Sequence, residues 1–375
     1  MYNNYVIFKQ VYFHTVAQTD LYKLYPGEYY DSNHYGPVFS MFVAPFALMS
    51  DGWGLLFWSL LNAVLLLWAV DTLPLSNKVK MLILLCSSIE FANSVHNIQF
   101  NPIITAFIIF SFRLVRKGKD EWATLFIVLG ALIKLYPIIG LAFFMFSKNK
   151  GKFIGYTVFW FAFFLVLPAV ISSPHFVVQS YTDWYHSLLD KNHQNIGFGA
   201  AQDISFMGVC RRMVGNPYLP NTPFLLFGAV VFGLPLLRFS QFTALKFRLR
   251  VLASALLTVV LFSTGSEHPT YVIAVTGAML WMFLQDKPFT TRNIIILVLL
   301  LVITGLGLTD AFPKYLREEI VSNYVLKAWP CIIVWFILSY ELMFKDFTAK
   351  EGIRPDQPQY YKLLDKKPDG KLATA

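Results

Sequence analysis

Apolar runs, each closed by a short polar or basic stretch, repeat along nearly the whole chain. Those over 52–70, 79–93, 100–115, 153–172, 221–238, 250–263, 268–284, 293–308 and 325–344 approach the roughly 20 residues that cross a bilayer as a helix. Residues 122–147 form a longer run interrupted by Lys134, Leu135, Tyr136 and Pro137. Proline removes a helical hydrogen bond and disfavours helix at the residue before it, so this run is expected to break there. Residues 36–49 are apolar over only about 14 positions, which suits a re-entrant or interfacial segment. The expected fold class is all-α, a polytopic membrane protein.

Composition strengthens that expectation. Apolar types supply 56% of the chain and charged types 14%, against about 45–50% and about 25% in soluble domains. A soluble chain this apolar would expose aggregating patches. The net charge of +9 raises the alternative of a nucleic-acid surface. The basic residues, however, sit in short clusters between apolar runs: Arg113, Arg116, Lys117 and Lys119; Lys148, Lys150 and Lys152; Lys246, Arg248 and Arg250. That is the positive-inside distribution, so the expected partner is the lipid bilayer and no nucleic acid. Cys86, Cys210 and Cys331 show no CxxC spacing, which leaves zinc and redox chemistry without support.

Charge also orients the chain. With the C-terminus inside, loops 148–152, 239–249 and 286–292 fall inside as well. Arg116, Lys117 and Lys119 join them only if 122–147 is two short spans that turn at Lys134–Pro137. This predicts about eleven transmembrane helices with the N-terminus outside. One transmembrane domain is expected over 1–345, with non-helical outer loops at 1–35, 173–220 and 309–324. A short cytoplasmic tail is expected over 346–375.

Polar groups at membrane depth are costly and mark function. In this topology they converge on the outer side. The first loop carries Asp20, Glu28, Asp31 and His34, and the turn after the second span carries His96, Gln99 and Asn101. The broken helix adds Lys134 and Tyr136, the large loop adds His193, Gln194, Asn195, Asp203, Arg211 and Arg212, and the turn at 264–270 adds Glu267 and His268. Carboxylates can take a proton from a hydroxyl. Lys, Arg and His can hold a phosphate, and Asn, Gln and Tyr can bind sugar hydroxyls. An enzyme that joins a lipid-phosphate sugar to an acceptor needs these classes on one side of a membrane.

Each residue also has a plainer role open to it. Loop acids can simply be solvated, Lys134 can snorkel, and Arg211 and Arg212 can hold lipid headgroups. His96 and Gln99 can satisfy helix ends. Glu90, Lys327 and Glu341, near span ends, are expected to be interfacial or paired. No metal is assigned, since the His and acidic residues lack ligand spacing, and no cofactor is expected. A lipid or sugar transporter would need midplane charges and inverted repeats. The broken helix fits that alternative; the one-sided polar cluster and the lack of an internal repeat do not. A noncatalytic envelope-assembly subunit is a third alternative.

Three passages resemble glycosyltransferase family 87, membrane enzymes of C-type fold that use polyprenyl-phosphate sugars. They are Asp20-Leu-Tyr with Tyr35-Gly-Pro37-Val-Phe and Ala44-Pro45-Phe, then Asn97-Ile-Gln99-Phe-Asn101-Pro, then Lys134-Leu-Tyr136-Pro137. The likeness covers about residues 3–190. It implies inverting transfer of a mannose-like sugar from a polyprenyl-phosphate donor to a lipid or glycan acceptor. The site would open to the exterior of a bacterial inner membrane. On this reading Asp31 or Glu28 is the base, and Lys134, Arg211, Arg212 and His268 hold the donor phosphate. His34, His96, Gln99, Asn101, Tyr136 and Glu267 contact substrate. Asn3 and Asn4 stand where the family carries an acid, so a further helix and an acidic residue are expected ahead of Met1.

Overall fold

The structure, a computed structural model, describes residues 2–198 and 202–348. The tail expected over 346–375 lies outside these residues from position 349 onward. Among the described residues the regular elements are helical and no strand occurs. The α-helices are α1 (Asn3–Ala17), α2 (Phe39–Ala47), α3 (Asp51–Asp71), α4 (Asn77–His96), α5 (Asn101–Arg116), α6 (Asp120–Ile133) and α7 (Lys150–Val166). They continue as α8 (Pro174–Asn195), α9 (Phe206–Val214), α10 (Asn221–Gly233), α11 (Leu245–Leu261), α12 (Tyr271–Phe283), α13 (Thr291–Leu299) and α14 (Trp329–Phe344).

Helices α5, α11 and α12 form the centre. Every residue of α12 from Tyr271 to Phe283 is buried, and α5 is buried almost throughout. Around them, α3 turns Leu56, Phe57, Leu60, Val64 and Leu67 outward, and α7 turns out Ile154, Val158, Phe159 and Val166. Apolar stripes this long and this exposed need hydrocarbon as their solvent. Among the described residues three helical stretches are long and apolar enough to cross a membrane: Asp51–Asp71, Lys150–Val170 and Leu326–Phe344. Tyr136–Phe146, Asn221–Leu237 and Thr291–Leu306 are shorter apolar helices. The chain is an all-helical membrane protein.

The run at 122–147 does break where proline predicts. α6 ends at Ile133, Lys134 is extended, and a 3₁₀ helix runs over Tyr136–Phe146. The two halves measure about 21 Å and about 22 Å at the rises of α and 3₁₀ helix. They fold back on each other so closely that a Cβ on Gly130 would lie 2.6 Å from Pro137 Cγ. α2 is nine residues long and too short to cross, in keeping with the re-entrant or interfacial expectation at 36–49.

The expectation of non-helical outer segments fails in all three of them. Residues 1–35 and 173–220 are not loops throughout, because α1, α8 and α9 lie within them. α1 buries Tyr5, Phe8 and Val11 against its neighbours. α8 is largely polar but buries Val177, Ser180 and Trp184 at helical spacing, and Ser173 caps it by accepting from Phe176 N–H. Ser205 caps α9 in the same way, accepting from Gly208 N–H. In the stretch 309–324, a π-helical turn covers Leu316–Ser322.

Charges buried between helices are paired. Lys327 donates to Glu90 and to the Thr304 carbonyl, and its ammonium lies 4.9 Å from the Tyr271 ring centre. Arg250 meets Glu341 at 3.2 Å, and that carboxylate also accepts from Trp281 Nε1 at 3.0 Å. An unpaired charge at this depth would be strongly destabilising.

Candidate active site

The end of α4, the start of α5, the break after α6 and the α11–α12 turn meet at one end of the bundle. The first loop and α8 close over them. Together they enclose a cavity of about 740 Å³. Asp31, His34, Gln99, Lys134, Tyr136, Glu267 and His268 all line it. Residues up to 237 positions apart in sequence, Asp31 and His268, thus reach a single space because successive helices begin or end there.

The first loop is pinned from three sides. Asn3 at the start of α1 accepts from Tyr30 N–H at 2.8 Å, which fixes the backbone just before Asp31. Asp31 has a positive φ of 77°, a left-handed conformation that aspartate tolerates better than most residues. Its carboxylate lies 3.9 Å from both His34 Nε2 and Lys191 Nζ. His34 Nδ1 lies 3.1 Å from Ser187 Oγ, and the His34 carbonyl accepts from Trp184 Nε1 at 3.0 Å. Burial, reinforced by the Lys191 charge, lowers the His34 pKa to about 4, so the imidazole is neutral at pH 7. Gly36 then runs against the end of α6. Its N–H donates to the Ile133 carbonyl at 3.0 Å, and a Cβ there would sit 1.9 Å from the Leu132 carbonyl oxygen.

Lys134 projects from the break. It donates to Asn101 Oδ1 at 2.8 Å and lies 5.2 Å from the Tyr136 ring centre and 5.7 Å from that of Tyr35. Asn101 is fully buried and donates to the Pro269 carbonyl at 3.1 Å, so it ties the lysine to the α11–α12 turn. Tyr136 OH donates to the Gly265 carbonyl at 3.3 Å, and Tyr35 OH donates to Gln99 Oε1 at the same distance. Glu267, in that turn, has its carboxyl pKa raised by burial, against the lowering pull of Lys134 and Lys191. The Nδ1 of His268 is buried without a partner among the described residues. A cation framed by aromatic rings and a neutral amide, in a cavity that two carboxylates also line, can hold an anionic leaving group while a base acts across the cavity.

Other expected residues fall elsewhere. Asn101 stands one hydrogen bond behind the cavity wall. Glu28 faces away, its Oε2 3.0 Å from His14 Nε2, and His96 in the last turn of α4 is not part of the lining. Arg211 and Arg212 do not reach the cavity either. Arg211 is fully buried, pairs with Asp203 at 2.5 Å, and gives its other N–H groups to the Leu219 carbonyl and Asn221. Its charge holds the 203–221 segment together. Burial raises the Asp203 pKa, and the guanidinium opposes that shift.

Lys191, Asn192 and Asn195 were missed as cavity residues or singled out only in passing. The signal was present in the spacing. Trp184, Leu188, Lys191, Asn192 and Asn195 all line the cavity and recur at helical intervals, which marks one face of α8. Asn192 Oδ1 accepts from Thr264 Oγ1 at 2.7 Å and so joins that face to the α11–α12 turn. Among the described residues no group of three His, Cys, Asp or Glu converges as a metal site.

Comparison of the chain with curated proteins and with solved structures finds no match. The family model described as Glycosyltransferase family 87 matches residues 33–264, more than half of the chain and most of the segments that build the cavity. The chain belongs to glycosyltransferase family 87 and is a glycosyltransferase.

Proposed function

We propose that the enzyme moves a mannose-like hexose from a polyprenyl-phosphate donor to a lipid or glycan acceptor, with inversion, on the extracytoplasmic face of a bacterial inner membrane. The observation that carries the reading is the placement of the Asp31 carboxylate, the Lys134 ammonium and the His268 imidazole around one cavity at the end of a lipid-facing bundle. Asp31 takes the proton of the acceptor hydroxyl. The acceptor oxygen forms a bond to the anomeric carbon from the face opposite the phosphate. The bond from that carbon to the phosphate oxygen breaks, and its electron pair leaves with the polyprenyl phosphate. Lys134 and an imidazole N–H of His268 stabilise the charge left on that oxygen. His34, Gln99, Tyr136 and Glu267 contact the sugar and acceptor hydroxyls. Glu28 is the less suitable base, since it faces His14 outside the cavity lining.

The test uses the purified full chain with labelled polyprenyl-phosphate mannose, against a nucleotide-linked mannose as competitor donor. Transfer from the lipid donor is expected, and Asp31→Asn should lower it by about 10²–10⁴-fold, the usual contribution of a general base. Transfer from the nucleotide donor alone would overturn the donor assignment. Full activity in the Asn variant would move the base elsewhere.

A further inference from the structure

A second cavity, of about 310 Å³, opens at the other end of α4 and α5. Asn101 begins α5 beside Lys134, whereas Arg113 and Arg116 close that helix about 18–22 Å away at 1.5 Å per residue. The groove is walled by Lys80 from α4 and by Arg113, Arg116 and Lys117 from the end of α5. Asp71 is the single carboxylate in its lining among the described residues, and Lys80 donates to it at 3.0 Å. Arg113 is half-buried, and its Nε is buried with no acceptor among the described residues. Arg113 also has no carboxylate partner among the described residues, so the charge it brings to the groove is left for an anion to neutralise.

The surroundings say what kind of anion. Leu67 and Trp68 on α3, and Met81 and Leu85 on α4, lie within about two turns of the groove and are exposed. Trp68 packs against Phe110 of α5 at 5.1 Å between ring centres. A basic mouth thus continues into an apolar wall at the end of a lipid-facing bundle. A free phosphate would use only the first; a phospholipid uses both. The other basic turn is built differently, because Lys150 there gives its protons to the Met145 and Ser147 carbonyls at 2.8 Å and 3.0 Å.

We propose that this groove binds the headgroup phosphate of an anionic glycerophospholipid, with the Arg113 guanidinium as its principal donor and the acyl chains lying along α3 and α4. The full chain is reconstituted in nanodiscs of phosphatidylglycerol or phosphatidylcholine, released gently, and its retained lipid counted by native mass spectrometry. Wild type and Lys152→Gln, which removes one charge from the other basic turn, should retain phosphatidylglycerol. Arg113→Gln should lose it tenfold or more, Lys117→Gln should lose it several-fold, and Arg113→Lys should lose it less than Arg113→Gln. Equal retention of phosphatidylcholine, or unchanged retention in Arg113→Gln, would overturn the proposal and leave the cluster as a topology signal. Displacement by millimolar inorganic phosphate would overturn the lipid as occupant. None of these measurements depends on sugar transfer, so the result stands apart from the proposed reaction.

Discussion

Lys134 donates to the neutral side chain of Asn101 and is bordered by Tyr35 and Tyr136, so its charge is held in place without being cancelled by a hydrogen-bonded carboxylate. A snorkelling lysine would reach for water; this one lines the cavity. A charged hydrogen bond to a desolvated phosphate is worth about 1.5–3 kcal/mol. Lys134→Ala is therefore expected to slow transfer by about tenfold or more at normal expression, and Lys134→Arg to keep part of the activity. Steady-state transfer by detergent-purified variants decides it, and an unchanged rate in the Ala variant would return Lys134 to a structural role. At this scale the sequence was readable where a motif and a helix break coincide, as at Lys134–Pro137. It was misleading at Arg211. A pair of arginines in a polar stretch looks like an anion site, but the carboxylate that absorbs Arg211 comes from Asp203, and only folding brings the two within 2.5 Å.

Between elements, the decisive contact joins the first loop to the broken helix. Gly36 lies against the last turn of α6, and the neighbour a Cβ would strike is a backbone oxygen, which no rotamer change can move aside. Gly36→Ala should therefore push the loop bearing Asp31 and His34 away from Lys134. The expected outcome is a loss of transfer greater than tenfold with a destabilisation of about 1–3 kcal/mol, the usual cost of overpacking. Thermal unfolding in detergent and transfer assays, run side by side, would show it. Unaltered values in both would mean that the loop and the broken helix do not need this approach. The break was legible because proline leaves a local mark. α1 and α8 were not, because a search for long apolar runs misses helices that bury only one narrow face. The stripe of Trp184, Leu188, Lys191 and Asn195 is helical in period but too polar to register as a span.

For the whole molecule, the all-helical membrane plan was legible from hydropathy alone, whereas the number of crossings was not. Among the described residues three helices are both long and apolar enough, and several others are completed by 3₁₀ or π turns, as at Leu234–Leu237 and Leu300–Leu306. Direction is better defined than number. α4, α6 and α11 end at the active-site cavity, while α5 and α12 begin at or just behind it. Their opposite ends carry Lys80, Arg113, Arg116, Lys246 and Arg250. We propose, from the positive-inside rule, that this basic end faces the cytoplasm and the cavity the exterior. In a background of Cys86→Ala, Cys210→Ser and Cys331→Ala, a cysteine replacing Tyr218, which is 86% exposed near the cavity end, should react with a membrane-impermeant thiol reagent in intact cells. A cysteine replacing Gly118, in the exposed turn after α5, should react only once the cells are opened. Labelling of the Gly118 variant from outside would invert the whole assignment. The cavity would then face the cytoplasm, and a donor presented at the outer surface could not reach Lys134.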